Sequence, residues 1–221
     1  LQERMREQGD TPRGPLRVSA PRTHSDGLIG RAIMDFAAAY PQVQLDVVFE
    51  DRFIDMVAER FDLAIRISEL ADSSLIAKKL APYRVVICAT PELIAEHGAP
   101  KAPEDMSHLP TIADSNHRVK RAYTFDTPEG RRSVRINPVM SINAPHAIRM
   151  AALAGLGYCQ VPYLTGQGDV EAGRLVPVLE AFELKGVGVY VVYAERRHMT
   201  QKQRAFIDFI AERFASRGGD C

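Results

Sequence analysis

A chain of 221 residues with 28 Lys and Arg against 28 Asp and Glu carries no formal net charge, and 46% of it is hydrophobic. That balance leaves no cationic excess to displace counterions from DNA, so the chain by itself is not a basic nucleic-acid module. The length suits one large domain or two small ones, with a core big enough to need no metal or disulfide. No apolar run approaches the roughly 18 residues of a membrane span, and the charged start at residues 1–13 is unlike a signal peptide. A cytoplasmic protein with no membrane partner is expected.

In chain order, residues 1–8 read as the tail of a charged helix ending at Gly9, and the following Thr11-Pro-Arg-Gly-Pro as a stiff linker. Residues 16–20 alternate like a strand, and residues 21–27 form a polar loop. Leu28, Ile29, Ala32, Ile33, Phe36 and Tyr40 recur at helical spacing until Pro41 stops the helix. A second strand at residues 43–49, a short helix at 54–60 and a third strand at 63–67 complete a βαβαβ pattern, which asks for a mostly parallel sheet. Residues 84–89 make another buried strand. Thr90 then caps a helix that has Pro91 in its first turn and Gly98 at its end. After a Pro- and Asp-rich connection at 100–109, short strands are expected at 111–113, 123–125, 132–136 and 139–142. A helix at 145–154, a strand at 158–161, a helix at 165–172 and strands at 175–179 and 187–194 follow. Thr200 opens a last helix whose apolar side carries Phe206, Phe209, Ile210 and Phe214.

This order describes two small α/β units. The chain is expected to cross from the first to the second near Thr90 and to return near Tyr193. The expected division is therefore a linker at residues 1–13, a first unit at 14–89 plus 194–216, and a second at 90–193. In such folds a ligand sits outside the carboxyl ends of the strands, here in a cleft between the units.

No catalytic signature is present: no glycine-rich dinucleotide loop, phosphate loop, nucleophile elbow or zinc helix. The six histidines lack ligand spacing, so neither a metal nor a cofactor is expected. Cys88 and Cys159 sit in apolar runs and Cys221 ends the chain. An odd count without paired spacing reads as buried structural thiols; a peroxide-sensing pair is the weaker alternative, because neither internal Cys has a basic neighbour to lower its pKa. Glu50 and Asp51 read as a solvated pair at a strand end, and the basic runs 118–121, 131–132 and 196–197 as solvated loops.

What remains is a set of strand ends rich in small polar donors. Ser19 to Gly27 follows the first strand, Arg66 and Ser68 end the third, Thr90 opens a helix, and Asn143 precedes another. Convergent donors without a nucleophile and base suit a small anion. The alternative is that Ser19, Thr90 and Asn143 only cap helices.

Several stretches carry a resemblance: Gly14-Pro-Leu-Arg-Val, Tyr40-Pro-Gln-Val-Gln-Leu, Phe61-Asp-Leu-Ala-Ile-Arg and Asp72-Ser-Ser-Leu-Ile-Ala-Lys-Lys-Leu. Further stretches are Cys88-Ala-Thr-Pro-Glu-Leu, Ala154-Gly-Leu-Gly-Tyr and Gly173-Arg-Leu-Val-Pro-Val-Leu. Together, from Gly14 to Phe214, they resemble the co-inducer-binding domain of LysR-type transcriptional regulators. The resemblance implies a type 2 periplasmic-binding-protein-like α/β fold of two Rossmann-like subdomains with an effector between them. It implies a regulator rather than an enzyme, an exported solute-binding protein and a small cytosolic enzyme being the alternatives. The effector contacts it implies are Ser19, Pro21, Arg22, Thr23, His24, Arg66, Ser68, Ala89, Thr90, Asn143, Pro145, His146, Val161 and Pro162. Thr90-Pro91 stands where many members have Ser-Pro, and the basic stretch 22–24 leans the effector toward a carboxylate or phosphate. DNA contact is implied only for an N-terminal helix-turn-helix absent from these residues. A homodimer is implied too, through the helix carrying Leu28, Ile29, Ile33 and Phe36 against its symmetry mate, and a tetramer for the full-length protein.

Overall fold

A computed structural model describes residues 11–52, 54–69, 75–116, 119–194 and 199–216. The expected helix at residues 1–8 and the basic pair 196–197 lie outside the described residues. The contacts divide the chain into two units, with the breaks at Pro82/Tyr83 and Val187/Gly188. The crossings were expected near Thr90 and Tyr193, and strand pairing explains the difference. The strand before Thr90 hydrogen-bonds into the second unit's sheet, and the strand ending near Tyr193 into the first's.

The first unit has the sheet order β2-β1-β3-β12-β4. Its strands are β1 (Gly14–Ala20), β2 (Val43–Phe49), β3 (Leu63–Ser68), β4 (Leu75–Pro82) and β12 (Gly188–Ala194). β1 runs parallel to β2 from Gly14↔Val43 to Ala20↔Phe49, and parallel to β3 at Val18↔Leu63 and Ser19↔Ala64. β12 is antiparallel to both β3 and β4, so the sheet is mixed rather than mostly parallel. The expected helix at 54–60 is a run of turns instead. The Asp55 carboxylate accepts from the N–H groups of Val57 and Ala58 at 3.0 Å, and Arg60 takes a left-handed φ of 58°, which a helix does not accommodate. β4 was not expected as a strand. It is an edge strand carrying Lys78 and Lys79, and Lys78 pairs with Asp208 at 3.0 Å.

Helices α1 (Leu28–Ala39) and α5 (Gln201–Ala215) pack together through Phe36, whose ring meets Phe206 edge-on at 5.0 Å and Phe209 at 5.6 Å. Ile29, Ile33 and Phe36 are all buried in this unit. The apolar stripe expected to meet a symmetry mate is therefore spent on the protein's own core, and only Met34 remains as a large exposed apolar side chain on α1. Thr200 caps α5, as the sequence suggested, and Gln203 reciprocates to complete a capping box.

The second unit has the sheet order β11-β5-β10-β6-β9, with a hairpin of β7 (Ala122–Thr127) and β8 (Gly130–Arg135) beside it. Here β5 is Val85–Ala89, β6 is Thr111–Asp114, β9 is Pro138–Ile142, β10 is Tyr158–Pro162 and β11 is Val176–Val178. Its helices are α2 (Pro91–His97), α3 (Pro145–Leu153) and α4 (Tyr163–Glu171). The Tyr123 hydroxyl lies 2.7 Å from the Ile112 carbonyl and 2.8 Å from that of Tyr158, which fastens the hairpin to the parallel pair β6/β10.

Asp169, with a side chain 1% exposed, is the buried charge of this unit. Arg149 of α3 bonds one of its oxygens, and Arg174, just before β11, bonds the other through Nε at 2.7 Å. These arginines, Arg149 foremost, hold the Asp169 carboxyl below the usual carboxylate range. A lowered folded pKa adds stability above the ordinary carboxylate pKa of about 4, and that stability is lost as pH falls through the folded value. Asp169→Asn should destabilise the protein at pH 7 by about 2–3 kcal/mol, less than the about 3–5 of a fully buried pair because both arginines reach solvent. Its stability should also change less than that of the wild type below about pH 4, measured by urea unfolding at stepped pH.

Candidate functional site

In the first unit the parallel strands β1, β2 and β3 all end on one edge of the sheet, where β4 also ends and β12 begins. That edge carries Ser19, the turn after β1, Glu50, Asp51, Arg66 and Ser68. Ser19 is fully buried, and its Oγ accepts from the Arg66 guanidinium at 3.0 Å. A second Arg66 N–H meets the carbonyl oxygen of Ile65 at 3.2 Å. No carboxylate of the described residues bonds Arg66. Burial of the guanidinium lowers the Arg66 pKa, and Glu50 is the strongest opposing charge. So a half-buried cation stands at a strand end with a hydroxyl beside it and donors to spare.

The turn after β1 is arranged differently from the sequence expectation. Residues Arg22–His24 form one turn of 3-10 helix. The N–H groups of Arg22 and Thr23 and the Thr23 hydroxyl all donate to Asp51 Oδ1, at 2.9, 3.4 and 3.2 Å. Arg22 Nε lies 3.5 Å from Asp51 Oδ2. The donors read as free for an anion are thus spent on a carboxylate of the same edge. Glu50 and Asp51 were expected as a solvated pair. Their side chains are instead 14% and 23% exposed and held by Arg52 and Arg22. Glu50 Oε1 is buried without a hydrogen-bond partner. The sequence could not show this, because Asp51 and Arg22 lie 29 positions apart. Pro21 and His24 are buried in the turn, and Ser68 is exposed at the end of β3. A Cβ on Gly30 would lie 1.7 Å from the Ser25 carbonyl oxygen, so α1 closes directly on this turn, backbone against backbone.

In the second unit β5 is antiparallel to β10, which is parallel to β6, which is parallel to β9. Thr90, after β5, therefore lies on the edge opposite to that of Asn143 and Pro162, which end β9 and β10. The Thr90 hydroxyl accepts from the Leu93 N–H at 3.3 Å, a capping bond. Asn143 is not the cap of α3: that place belongs to Ala144, and Pro145 is buried in the first turn. The Asn143 side chain is exposed, and the Asn143 backbone carbonyl accepts from Asn116 Nδ2 at 2.9 Å. His146 is exposed on α3, while Ala89 and Val161 are buried in the cores on this sheet. The expected set is thus brought together around Ser19, Arg22, Thr23 and Arg66 in the first unit. In the second it is split between two sheet edges. Among the described residues, no three His, Cys, Asp or Glu side chains gather into a metal-binding set, and no helix is long and apolar enough to cross a membrane.

A family model described as the LysR substrate binding domain matches residues 9–215. The chain belongs to this family. It is 31% identical over 207 residues to the HTH-type transcriptional repressor PA14_22550 of Pseudomonas aeruginosa, covering 93% of this chain and 65% of the relative. It is 32% identical to the HTH-type transcriptional regulator DmlR of Escherichia coli, covering 92% and 66%. The chain therefore spans just under two thirds of the length of these curated relatives. The regulatory domain of CrgA from Neisseria meningitidis superposes with a TM-score of 0.74 at 24% identity, covering 92% of this chain and 100% of that one. The regulatory domain of AphB from Vibrio vulnificus superposes at 0.77 and 22%, covering 90% and 100%. These likenesses show the fold expected of a LysR substrate-binding domain, type 2 periplasmic-binding-protein-like.

Two substitutions separate capping from binding in this domain. Thr90→Ala should cost about 1 kcal/mol in chemical unfolding and leave ligand response unchanged. Arg66→Gln should leave the stability of the ligand-free protein unchanged or raised, because the guanidinium is desolvated without a carboxylate partner. A loss above about 1 kcal/mol in the same measurement would assign Arg66 a structural role instead.

Proposed function

We propose that this chain is the effector-sensing part of a LysR-type transcriptional regulator that recognises a small organic carboxylate through Arg66 and Ser19. The observation that carries the reading is the half-buried Arg66 guanidinium, bonded to a fully buried hydroxyl and to no carboxylate of the described residues. A planar fork with free donors suits a carboxylate, which can accept two parallel N–H bonds. The basic turn contributes less than its sequence suggested, since Asp51 neutralises Arg22 and engages Thr23. Thr90 of the second unit is left out of the reading, because its hydroxyl is engaged in a capping bond.

In this reading the domain binds and does not turn over its ligand. The full-length protein, in the cytoplasm, uses the bound state to control DNA binding through a helix-turn-helix outside these residues. Self-association into a homodimer, and a tetramer at full length, belongs to the same proposal. It cannot use Ile29, Ile33 and Phe36 of α1, which are buried. Light scattering of the 221-residue chain should give twice the monomer mass, and a monomer at high concentration overturns this element.

The main test is a thermal-shift screen of small mono- and dicarboxylic acids followed by calorimetric titration. A binding acid should stabilise the protein by mass action, about 2.7 kcal/mol at a hundred times its dissociation constant, and should be recovered chemically unchanged. Arg66→Gln should weaken it about tenfold or more, and Ser19→Ala should weaken it less. Glu50→Gln, which removes the negative charge nearest in influence to Arg66, should tighten it. Equal affinity in Arg66→Gln sinks the assignment, and conversion of the acid would make the domain an enzyme.

A further inference from the structure

We propose that Cys88 and Cys159 form a redox-convertible pair, whose thiols close into a disulfide between β5 and β10 when the protein meets hydrogen peroxide. The two residues are direct cross-strand partners in the antiparallel pair β5/β10. Both side chains are fully buried, and their sulfurs lie 3.5 Å apart, one thiol hydrogen-bonded to the other. Directly opposed residues of an antiparallel pair have Cα atoms about 4.5–5.5 Å apart, within the span of about 4.4–6.8 Å that a disulfide accepts. The sulfurs must close to about 2.05 Å, a movement that χ1 rotation of two side chains can share. The sheet itself needs no new register.

The chemistry balances without any further reactant. One sulfur, as thiolate, attacks an oxygen of the peroxide; the O–O bond breaks, a sulfenic acid forms and the other oxygen leaves as water. The second sulfur then attacks the sulfenic sulfur, its own proton and the departing hydroxide leaving as a second water. The two sulfurs together lose two electrons, which the peroxide oxygens gain. The hydrogen bond with Cys88, and then burial, raise the Cys159 thiol well above the ordinary thiol range, so little of its thiolate is present and the first step is slow. The second step is fast, because the partner is already in contact. The pair is therefore a slow converter under sustained oxidant rather than a rapid sensor. Hydrogen peroxide suits it, being neutral and little larger than a water molecule. Within the second unit the bond would fix Cys159, two residues before Val161 on the strand that ends at Pro162, to the penultimate residue of β5.

The experiment uses the 221-residue chain carrying Cys221→Ser, so that the terminal thiol cannot cross-link two chains. It is held for hours in millimolar hydrogen peroxide, then denatured and alkylated. The expected product has lost about 2 Da and both alkylatable thiols, and yields a tryptic peptide pair joined through Cys88 and Cys159. It should unfold at a higher temperature than the reduced protein, and dithiothreitol should restore both thiols and the original midpoint. Cys88→Ala should instead accumulate a sulfenic acid at Cys159 that dimedone traps. The peptide map of the unsubstituted pair carries the same information should that variant fold poorly. Recovery of both thiols unmodified overturns the proposal, and so does addition of about 16 or 32 Da at either cysteine without a cross-link.

Discussion

Strand β12 lies between β3 and β4 and hydrogen-bonds to both, and the architecture of the first unit depends on that placement. Since β12 is built from residues 188–194, everything from Tyr83 to Val187 is an insertion between two neighbours of one sheet. The antiparallel direction of β12 brings its first residue to the edge where β1, β2, β3 and β4 end. One edge therefore carries both peptides that link the unit to the second one and the polar strand ends that the sequence marks out within this unit. The gathering of polar groups on that edge is a consequence of connectivity, because ends of parallel strands present unpaired backbone and short loops on the same side.

The electrostatics of this edge are nearly self-contained. Arg22 with Asp51, and Arg52 with Glu50 and Glu59, form ion pairs, and Arg66 adds the third positive charge against those three carboxylates. Such a balance creates little long-range field to draw in anions. Discrimination must come at contact distance, where a partly desolvated guanidinium interacts more strongly than one in open water. The same balance explains why the basic sequence at 22–24 is a poor guide to ligand charge.

Elements with a strong period were legible in the chain. The β1-α1-β2 passage, the Thr90-Pro91 start of α2, the α3 helix and the Thr200 start of α5 all follow from spacing and end residues. Three features were hidden for physical reasons. Alternation does not encode strand direction, so nothing in residues 85–89 tells that β5 runs against β10, and Thr90 was grouped with Asn143 across a whole sheet. Adjacent Lys78 and Lys79 break the alternation of β4, which as an edge strand can present both to solvent or to Asp208. Long-range partnerships are invisible as well. Asp51 finds Arg22 from 29 positions away, and Cys88 finds Cys159 from 71. The donors of the first turn could be counted from sequence, but not the acceptor that satisfies them.

The close seat of Gly30 on Ser25, together with the three donors anchored on Asp51, leaves the turn after β1 fixed before any ligand arrives. A wall held by backbone contact and a carboxylate has little conformational freedom to surrender on binding, so the ordering cost falls mainly on the ligand. Related acids should then meet this edge at similar association rates and differ in how long they stay. Under the proposed function that sets duration rather than detection: residence time on Arg66, not the speed of capture, would determine how long the bound state outlasts a pulse of effector.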